Sequence, residues 1–202
     1  MTATWISEVP SVLSLDARGR AIALAPGQAR VTASVGQTRA SLSLRVIPQY
    51  GRTWTGPAEI SACKNYNFRT CPRSSPEGSK GTLVLRLVQE GLGLTGALEV
   101  TYFVEKTPEG LSFHTTTIAK VSGTILDDDH LLLMGTMGVR GPDGSDFYPQ
   151  EPTWLLRYWT SNLADQQLTG SFEREYFYAD MDNFVRWTFG PLMSNTALKG
   201  PS

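Results

Sequence analysis

The side chains with the most reactive chemistry are two cysteines, Cys63 and Cys71, and two histidines, His114 and His130. Zinc sites built on cysteine use closely spaced pairs such as C-x₂-C, together with a second pair or with histidines. The two cysteines are spaced more widely than that, and neither histidine lies near them in the sequence. We therefore predict no metal site and a Cys63–Cys71 disulfide that closes a short polar loop. Such a bridge persists in an oxidising compartment, whereas the alternative, two reduced thiols, would fit a cytosolic protein.

Acidic residues cluster in three short segments, Asp127–Asp129, Asp143–Asp146 and Asp180–Asn183. Carboxylate oxygens suit Ca²⁺, but a calcium loop also needs regularly spaced ligands and a distant bidentate carboxylate, and no such set is evident. The cluster at Asp127–Asp129 is instead expected to form a solvated turn that discourages edge pairing. The same expectation applies to the other two segments.

Glu173 and Glu175 stand two positions apart, so on a strand they share one face. Paired carboxylates can divide acid and base roles when their environments differ. The plainer interpretation is an exposed stripe balanced by Arg157 or Arg186 on a neighbouring strand. Serine is abundant, but there is no Gly-x-Ser-x-Gly motif, and no histidine lies in a motif that would activate a serine. We predict no catalytic residue and no cofactor, and a hydrolase is the least favoured hypothesis.

The aromatic residues are more informative about binding. In a small barrel they fill the interior by default. If the interior is partly open, aromatic walls with polar tips such as Arg157 and Arg186 would form a pocket for a small apolar or planar ligand. The two alternatives differ in whether the barrel is packed. The predicted ligand-binding residues are Trp54, Tyr102, Trp154, Tyr158, Phe172, Arg174 and Tyr176.

Composition excludes several classes of protein. With 41% hydrophobic and 18% charged residues, the 202-residue chain has the composition of a globular protein. A formal net charge of -1 removes the electrostatic argument for a nucleic-acid partner. The apolar runs are too short to span a membrane, and the first ten residues do not read as a signal peptide.

Nearly every apolar run alternates with period two and ends at Gly, Pro, Asn or Asp, a pattern typical of strands and turns. The residue types change near residues 48–51. Small residues predominate before this point, and all but one of the tryptophans lie after it. We predict an all-β protein with a domain at residues 1–48, a second domain at 50–190 and a disordered tail at 191–202. The second domain has about eight sequential antiparallel strands, which would close into an up-and-down barrel.

The first segment contains, in this order, Trp5, Ser7, Pro10-Ser11-Val12, Leu15-Asp16, Gly19, Ala23-Leu24-Ala25, Gly27-Gln28-Ala29, Val31-Thr32-Ala33 and Leu42-Ser43-Leu44-Arg45-Val46. In order and spacing these residues resemble the group 2 bacterial Ig-like domain, the Big2 module of surface adhesins and many secreted bacterial enzymes. The resemblance implies a partial β-sandwich that acts as a spacer or adhesion unit. The family's opening strands, which should precede the Trp5 strand, are absent, and this would leave an open sheet edge and an uncovered core face. An upstream start is the favoured explanation, because it would also restore an export signal; alternatively the second domain or another copy completes the sheet.

The sequence of Gly91–Gly96, the last part of which recurs at Leu168–Gly170, is similar to a hairpin motif of avidin-like and lipocalin-like barrels. The avidin pattern after the first-strand tryptophan is not matched at Thr55–Pro57, and Arg52–Trp54 meets the lipocalin Gly-x-Trp signature only loosely. No ligand contact is carried over from either family.

Together these observations predict a non-enzymatic, extracytoplasmic binding or adhesion protein with an Ig-like spacer and a recognition barrel. Its partner would be a surface protein or a glycan. The alternative is a carrier that holds a small apolar or planar ligand inside the barrel. A filled interior with an exposed apolar patch would favour the former, and a cavity lined by the aromatic set would favour the latter.

Overall fold

The computed structural model describes residues 2–65, 78–104, 113–140, 144–147, 154–162, 167–178 and 181–194. All regular secondary structure in these residues is β-strand, so the predicted all-β class is confirmed. The chain divides into two compact units, Met1–Gln49 and Tyr50–Ser202.

The first unit contains a three-stranded antiparallel sheet in the order β1-β4-β5 and a separate hairpin, β2-β3. Its small core consists of the buried Leu13, Ala29 and Val31. The predicted hairpin around Gly36 is present, and it pairs Val35 with Thr38. The strands are β1 (Thr4–Ser7), β2 (Leu13–Leu15), β3 (Ala21–Ala23), β4 (Gly27–Val35) and β5 (Thr38–Val46).

The turn before β3 has the chemistry expected from its sequence. Gly19 adopts a positive φ of 80°, and Asp16 Oδ1 accepts the backbone N–H groups of Arg18 at 2.9 Å and Arg20 at 2.8 Å. A Cβ atom at Gly19 would overlap the Trp5 ring. Glycine therefore serves both the backbone conformation and the packing of Trp5.

The second unit is a meander of long strands. Consecutive strands pair antiparallel from β6 to β10 and from β12 to β14, β14 pairs with β6, and β10 pairs with β12, so eight strands form a closed ring. This is the predicted up-and-down topology. The strands are β6 (Thr53–Asn65), β7 (Lys80–Glu90), β8 (Gly93–Val104), β9 (Phe113–Ile125), β10 (His130–Arg140), β11 (Asp146–Phe147), β12 (Trp154–Asn162), β13 (Gln167–Tyr178) and β14 (Met181–Ser194).

The ring closes unevenly between β10 and β12. Two residue pairs join these strands, His130 with Thr160 and Leu131 with Trp159. The short β11 pairs with the other end of β10, through Val139 and Arg140. One edge of β10 is therefore shared by two strands, a feature that the sequence pattern did not predict.

The predicted period-two alternation determines which face of each strand is buried. On β7 the side chains of Leu83, Leu85 and Leu87 are buried while Arg86 is exposed. Leu98 is opposite Leu85 on β8, and Ala119 is opposite Leu98 on β9, so buried residues form rows across the sheet. Such rows give a sheet one apolar face and one exposed face.

Three glycines on the buried face are required because neighbouring strands approach closely there, as is typical at the bends of a small barrel. A Cβ atom at Gly96 would overlap the carbonyl oxygen of Arg86, and one at Gly123 would overlap that of Leu132. Gly135 is similarly close to the carbonyl of Lys120. Any side chain at these positions would push neighbouring strands apart.

The structure differs from the sequence predictions at the end of the chain. Residues 191–194, predicted as part of a disordered tail, belong to β14, where Leu192 pairs with Leu168 and Ser194 pairs with Trp54. A register shift between Phe189 and Met193 accommodates the intervening Pro191, which in the sequence resembles a strand terminator.

Candidate binding surface

The buried face of β6 to β10 forms the main core of the second unit. Leu83, Leu85, Leu98, Val100 and Leu133 have no exposed surface. Leu168 of β13 belongs to the same cluster. These aliphatic side chains, with the buried rings of Trp54 and Tyr102, belong to the described core of this unit.

Trp54, a predicted ligand-binding residue, is fully buried at the start of β6. Its Nε1 donates a hydrogen bond to the carbonyl of Tyr50 at 3.0 Å, and the two rings lie 6.3 Å apart between centroids. The Arg52 guanidinium carbon lies 5.5 Å from the Trp54 ring centroid, within cation–π range. Burial lowers the pKa of Arg52 from its ordinary value. These groups form a cluster, hereafter the Trp54 cluster, at the point where the chain enters the barrel.

Tyr102, the second predicted residue with a described side chain, is also in the core and is 5% exposed. It lies on β8 opposite Gly81 of β7. A Cβ atom at Gly81 would come within 3 Å of the Tyr102 Cβ, which shows how closely the two strands approach.

The other five predicted residues lie on β12 and β13, where the structure describes the backbone. Trp154 is in register with Arg174. Phe172, Arg174 and Tyr176 occupy alternate positions of β13, each an even number of residues after the buried Leu168. Tyr158 falls at the register shift between Arg157 and Trp159, where β12 has one extra residue. The topology thus brings Trp154 and Arg174 together and places Tyr158 at a bulge.

The outer face of β7 to β10 carries a concave surface with a volume of about 570 Å³, hereafter the outer trough. Val88, Thr95, Ser122 and Met134 form one row across the four strands. Val88 is 68% and Met134 is 47% exposed. The complete lining is Val88, Glu90, Gly93, Leu94, Thr95, Ser122, Gly123, Thr124, Leu132 and Met134.

The shape of the outer trough follows from side-chain size. The two central strands contribute small residues, such as Gly93 and Thr95 on β8 and Ser122 on β9, whereas the flanking strands contribute Val88 and Met134. A floor of hydroxyl groups between aliphatic walls can accept an aliphatic group and hydrogen-bond a polar atom beside it. This surface was not predicted from the sequence, although small polar side chains at alternate positions of β8 and β9 were a detectable signal.

An ion-pair cluster lies further along the same strands. Glu99 on β8 accepts a hydrogen bond from Arg86 Nη1 of β7 at 2.7 Å and another from Arg140 of β10. The Arg86 hydrogen bond is the main cause that lowers the pKa of Glu99, with Arg140 adding to it and burial opposing both. This cluster ties three strands together and leaves Glu99 ionised and paired at neutral pH, which suits a structural role.

The predicted solvated turn at Asp127–Asp129 is organised by Asp127. Its Oδ1 accepts hydrogen bonds from the backbone N–H groups of Asp129 at 2.9 Å and His130 at 2.8 Å. It also lies 2.7 Å from His130 Nδ1. The hydrogen bond from the Asp129 N–H is the largest cause that lowers the pKa of Asp127, and the His130 ring adds to it. Asp127 therefore stabilises the β9–β10 hairpin as an Asx turn.

The described residues of the other two acidic segments lie mainly in strands. Asp182 and Asn183 belong to β14, in register with Phe177 and Tyr176, and not to a turn. Asp146 belongs to β11 and is paired with Arg140 in register. Asp143 and Asp180 lie outside the described residues. Among the residues described, no group of three or more potential metal ligands comes together.

The backbone register bears on two further predictions. Glu173 is directly opposite Arg186 of β14, one of the two arginines expected to balance it, and Arg157 is opposite Ser171. Cys63 lies on β6 opposite Val185, two residues before that strand ends at Asn65. Cys71 lies outside the described residues, so the disulfide remains a prediction. His114 is exposed on β9.

Comparison with known proteins identifies no family. No family model matches the chain, and no curated protein matches it significantly. Among solved structures, domains 4–9 of the surface layer protein SbsC match over 98% of this chain at 12% identity, with a TM-score of 0.23. The chain spans 35% of the length of that structure. A TM-score this low does not indicate a shared fold.

No helix long and apolar enough to cross a membrane occurs in the described part of the chain.

Proposed function

We propose that this chain is a non-enzymatic extracytoplasmic binding protein whose second unit recognises a partner protein through the outer trough. The first unit would act as an Ig-like spacer, as its resemblance to Big2 modules implies. The observation that carries the proposal is the exposure of Val88 and Met134 on either side of the trough. Two exposed aliphatic side chains that border one concave surface can hold an aliphatic group of a partner between them.

The core beneath the trough supports the same proposal. Leu85 and Leu98 are fully buried on the opposite face of the strands that carry the trough, so the sheet under it is backed by aliphatic side chains. The trough lining combines aliphatic and hydroxyl side chains with one carboxylate, that of Glu90. A protein segment that presents an aliphatic side chain therefore fits it better than a planar ligand does.

To test this proposal, a phage-displayed library of linear dodecapeptides is panned on the immobilised full chain. The affinity of the enriched peptides is then measured by titration. Val88→Asp/Met134→Asp should weaken binding at least about tenfold, because burying one aliphatic side chain contributes about 1.5–3 kcal/mol. Thr82→Asp is the matched control, because Thr82 is exposed on the same strand as Val88 but outside the trough. Equal binding to all three proteins would contradict the proposal.

A carrier function is the second candidate. Closed eight-stranded meanders are wide enough to hold one small ligand, and Phe172, Arg174 and Tyr176 occupy β13 positions in step with the buried Leu168. N-phenyl-1-naphthylamine, an apolar fluorescent probe, tests it directly. Saturable binding that Arg174→Leu or Tyr176→Ala abolishes, and that the trough variant leaves unchanged, would favour the carrier. Absence of saturable binding would count against it.

A further inference from the structure

The β5 strand is a long edge. It pairs with β4 over its whole length of nine residues, and no other described strand pairs with it. Residues 38–43 are exposed on both faces of the sheet. An exposed edge of this length presents a row of backbone donors and acceptors to another strand.

The side chains of β5 alternate strictly. Ala40, Leu42, Leu44 and Val46 share one face, and Arg39, Ser41, Ser43 and Arg45 share the other. Leu42 lies opposite Val31 of β4, which is only 8% exposed, yet Leu42 itself is 62% exposed. The apolar face of the sheet is therefore covered at Val31 and uncovered at Leu42, whereas Leu44 and Val46 at the other end of β5 pack against the small core.

This pattern is complementary to itself in an antiparallel pair. A register centred on Ser41 would place Ala40 opposite Leu42 of a second copy and Arg39 opposite Ser43, so apolar residues meet on one face. A register centred on Leu42 would oppose Arg39 and Arg45, which like-charge repulsion disfavours. The Ser41 register also uses the part of β5 that is exposed on both faces.

We propose that β5 is the docking edge for a second copy of this chain, paired antiparallel about Ser41. Twofold symmetry makes such an interface self-complementary, and it joins the two β1-β4-β5 sheets into one continuous sheet. Each Leu42 then lies opposite Ala40 of the other copy, and the two Leu42 side chains are diagonal neighbours on the same face, within reach of each other. This interface is independent of the outer trough, which belongs to the second unit.

Sedimentation velocity of the full chain over a range of concentrations tests the proposal. The wild type should form dimers, and Leu42→Lys should weaken association at least about tenfold because it places a charge in the apolar row. Leu24→Lys is the matched control: Leu24 is 59% exposed in the same unit but lies outside β5. The proposal would be overturned if the wild type stays monomeric at its solubility limit, or if both variants weaken association equally. The β5 edge would then be available to a strand of another protein.

Cross-linking tests the register. Under mild oxidation Ser41→Cys should form a covalent dimer, because Ser41 faces its own copy. Arg39→Cys should not, because residues 39 of the two copies are about 13 Å apart along the paired strands. The wild-type chain, which contains Cys63 and Cys71, provides the baseline. Cross-linking of Arg39→Cys, or none of Ser41→Cys above the baseline, would overturn the Ser41 register.

Discussion

Gln89 of β7 holds Tyr50 at the entrance to the barrel: its Oε1 accepts the Tyr50 backbone N–H at 2.7 Å and the Gly51 N–H at 3.3 Å. The same side chain donates through Nε2 to the Gly91 carbonyl in the β7–β8 turn. One side chain of β7 thus links the Trp54 cluster, at the start of β6, to the β7–β8 turn.

Gln89→Leu should destabilise the second unit by about 1–3 kcal/mol, because it leaves the N–H groups of Tyr50 and Gly51 without their acceptor. Gln89→Glu keeps an acceptor oxygen and should cost less. Urea unfolding followed by tryptophan fluorescence measures both, since four of the five tryptophans lie in the second unit. Equal stability of Gln89→Leu and the wild type would show that water replaces the lost acceptor.

Gly123→Ala should destabilise the barrel by about 2 kcal/mol or more, near the upper end of the overpacking range. The added methyl group would overlap the Leu132 carbonyl oxygen, which belongs to the backbone and cannot rotate away. Gly93→Ala is the control, because its nearest contact would be the Glu90 carbonyl oxygen at 3.3 Å. Thermal unfolding should rank the wild type and Gly93→Ala well above Gly123→Ala, and similar midpoints for the two variants would contradict the bend proposed at Gly123.

Glu99→Gln should lower stability at neutral pH and cost progressively less in acid. Hydrogen bonds from Arg86 and Arg140 hold the pKa of Glu99 below its ordinary value of 4.5. A carboxylate with a depressed folded-state pKa contributes stability above its unfolded pKa, and this contribution is lost as the pH falls through the folded-state pKa. Unfolding measured from pH 7 down to below 4.5 should therefore show the two proteins converging. Glu59→Gln, at an exposed site on β6, is the control, and a pH-independent difference for Glu99→Gln would rule out the ion pair as its cause.

Cys63 and Cys71 should both resist alkylation in native protein exported to an oxidising compartment, and both should react after reduction. Intact-mass measurement with iodoacetamide counts the modified thiols in each state. Two labels without reductant would refute the disulfide and remove the main support for an extracytoplasmic location. Labelling in denaturant without reductant distinguishes a bridge from thiols that are merely buried.

The predictions that succeeded depend on local pattern. Alternation in Leu83–Leu87 and the turn residues at Gly91 predicted the β7–β8 hairpin, and the same signals predicted eight strands in sequential order. These features follow from the sequence alone because strand periodicity and turn chemistry involve residues within a few positions of one another.

Tertiary structure decided which distant residues meet. The hairpin register already places Arg86 near Glu99, but Arg140 joins them only because β9 pairs with both β8 and β10 in one particular register. The outer trough arises in the same way, from small residues of β8 and β9 between Val88 and Met134. A slip of one residue would move every side chain to the opposite face. The long connection between β8 and β9 carries no local signal for the correct register, so packing across the whole sheet selects it.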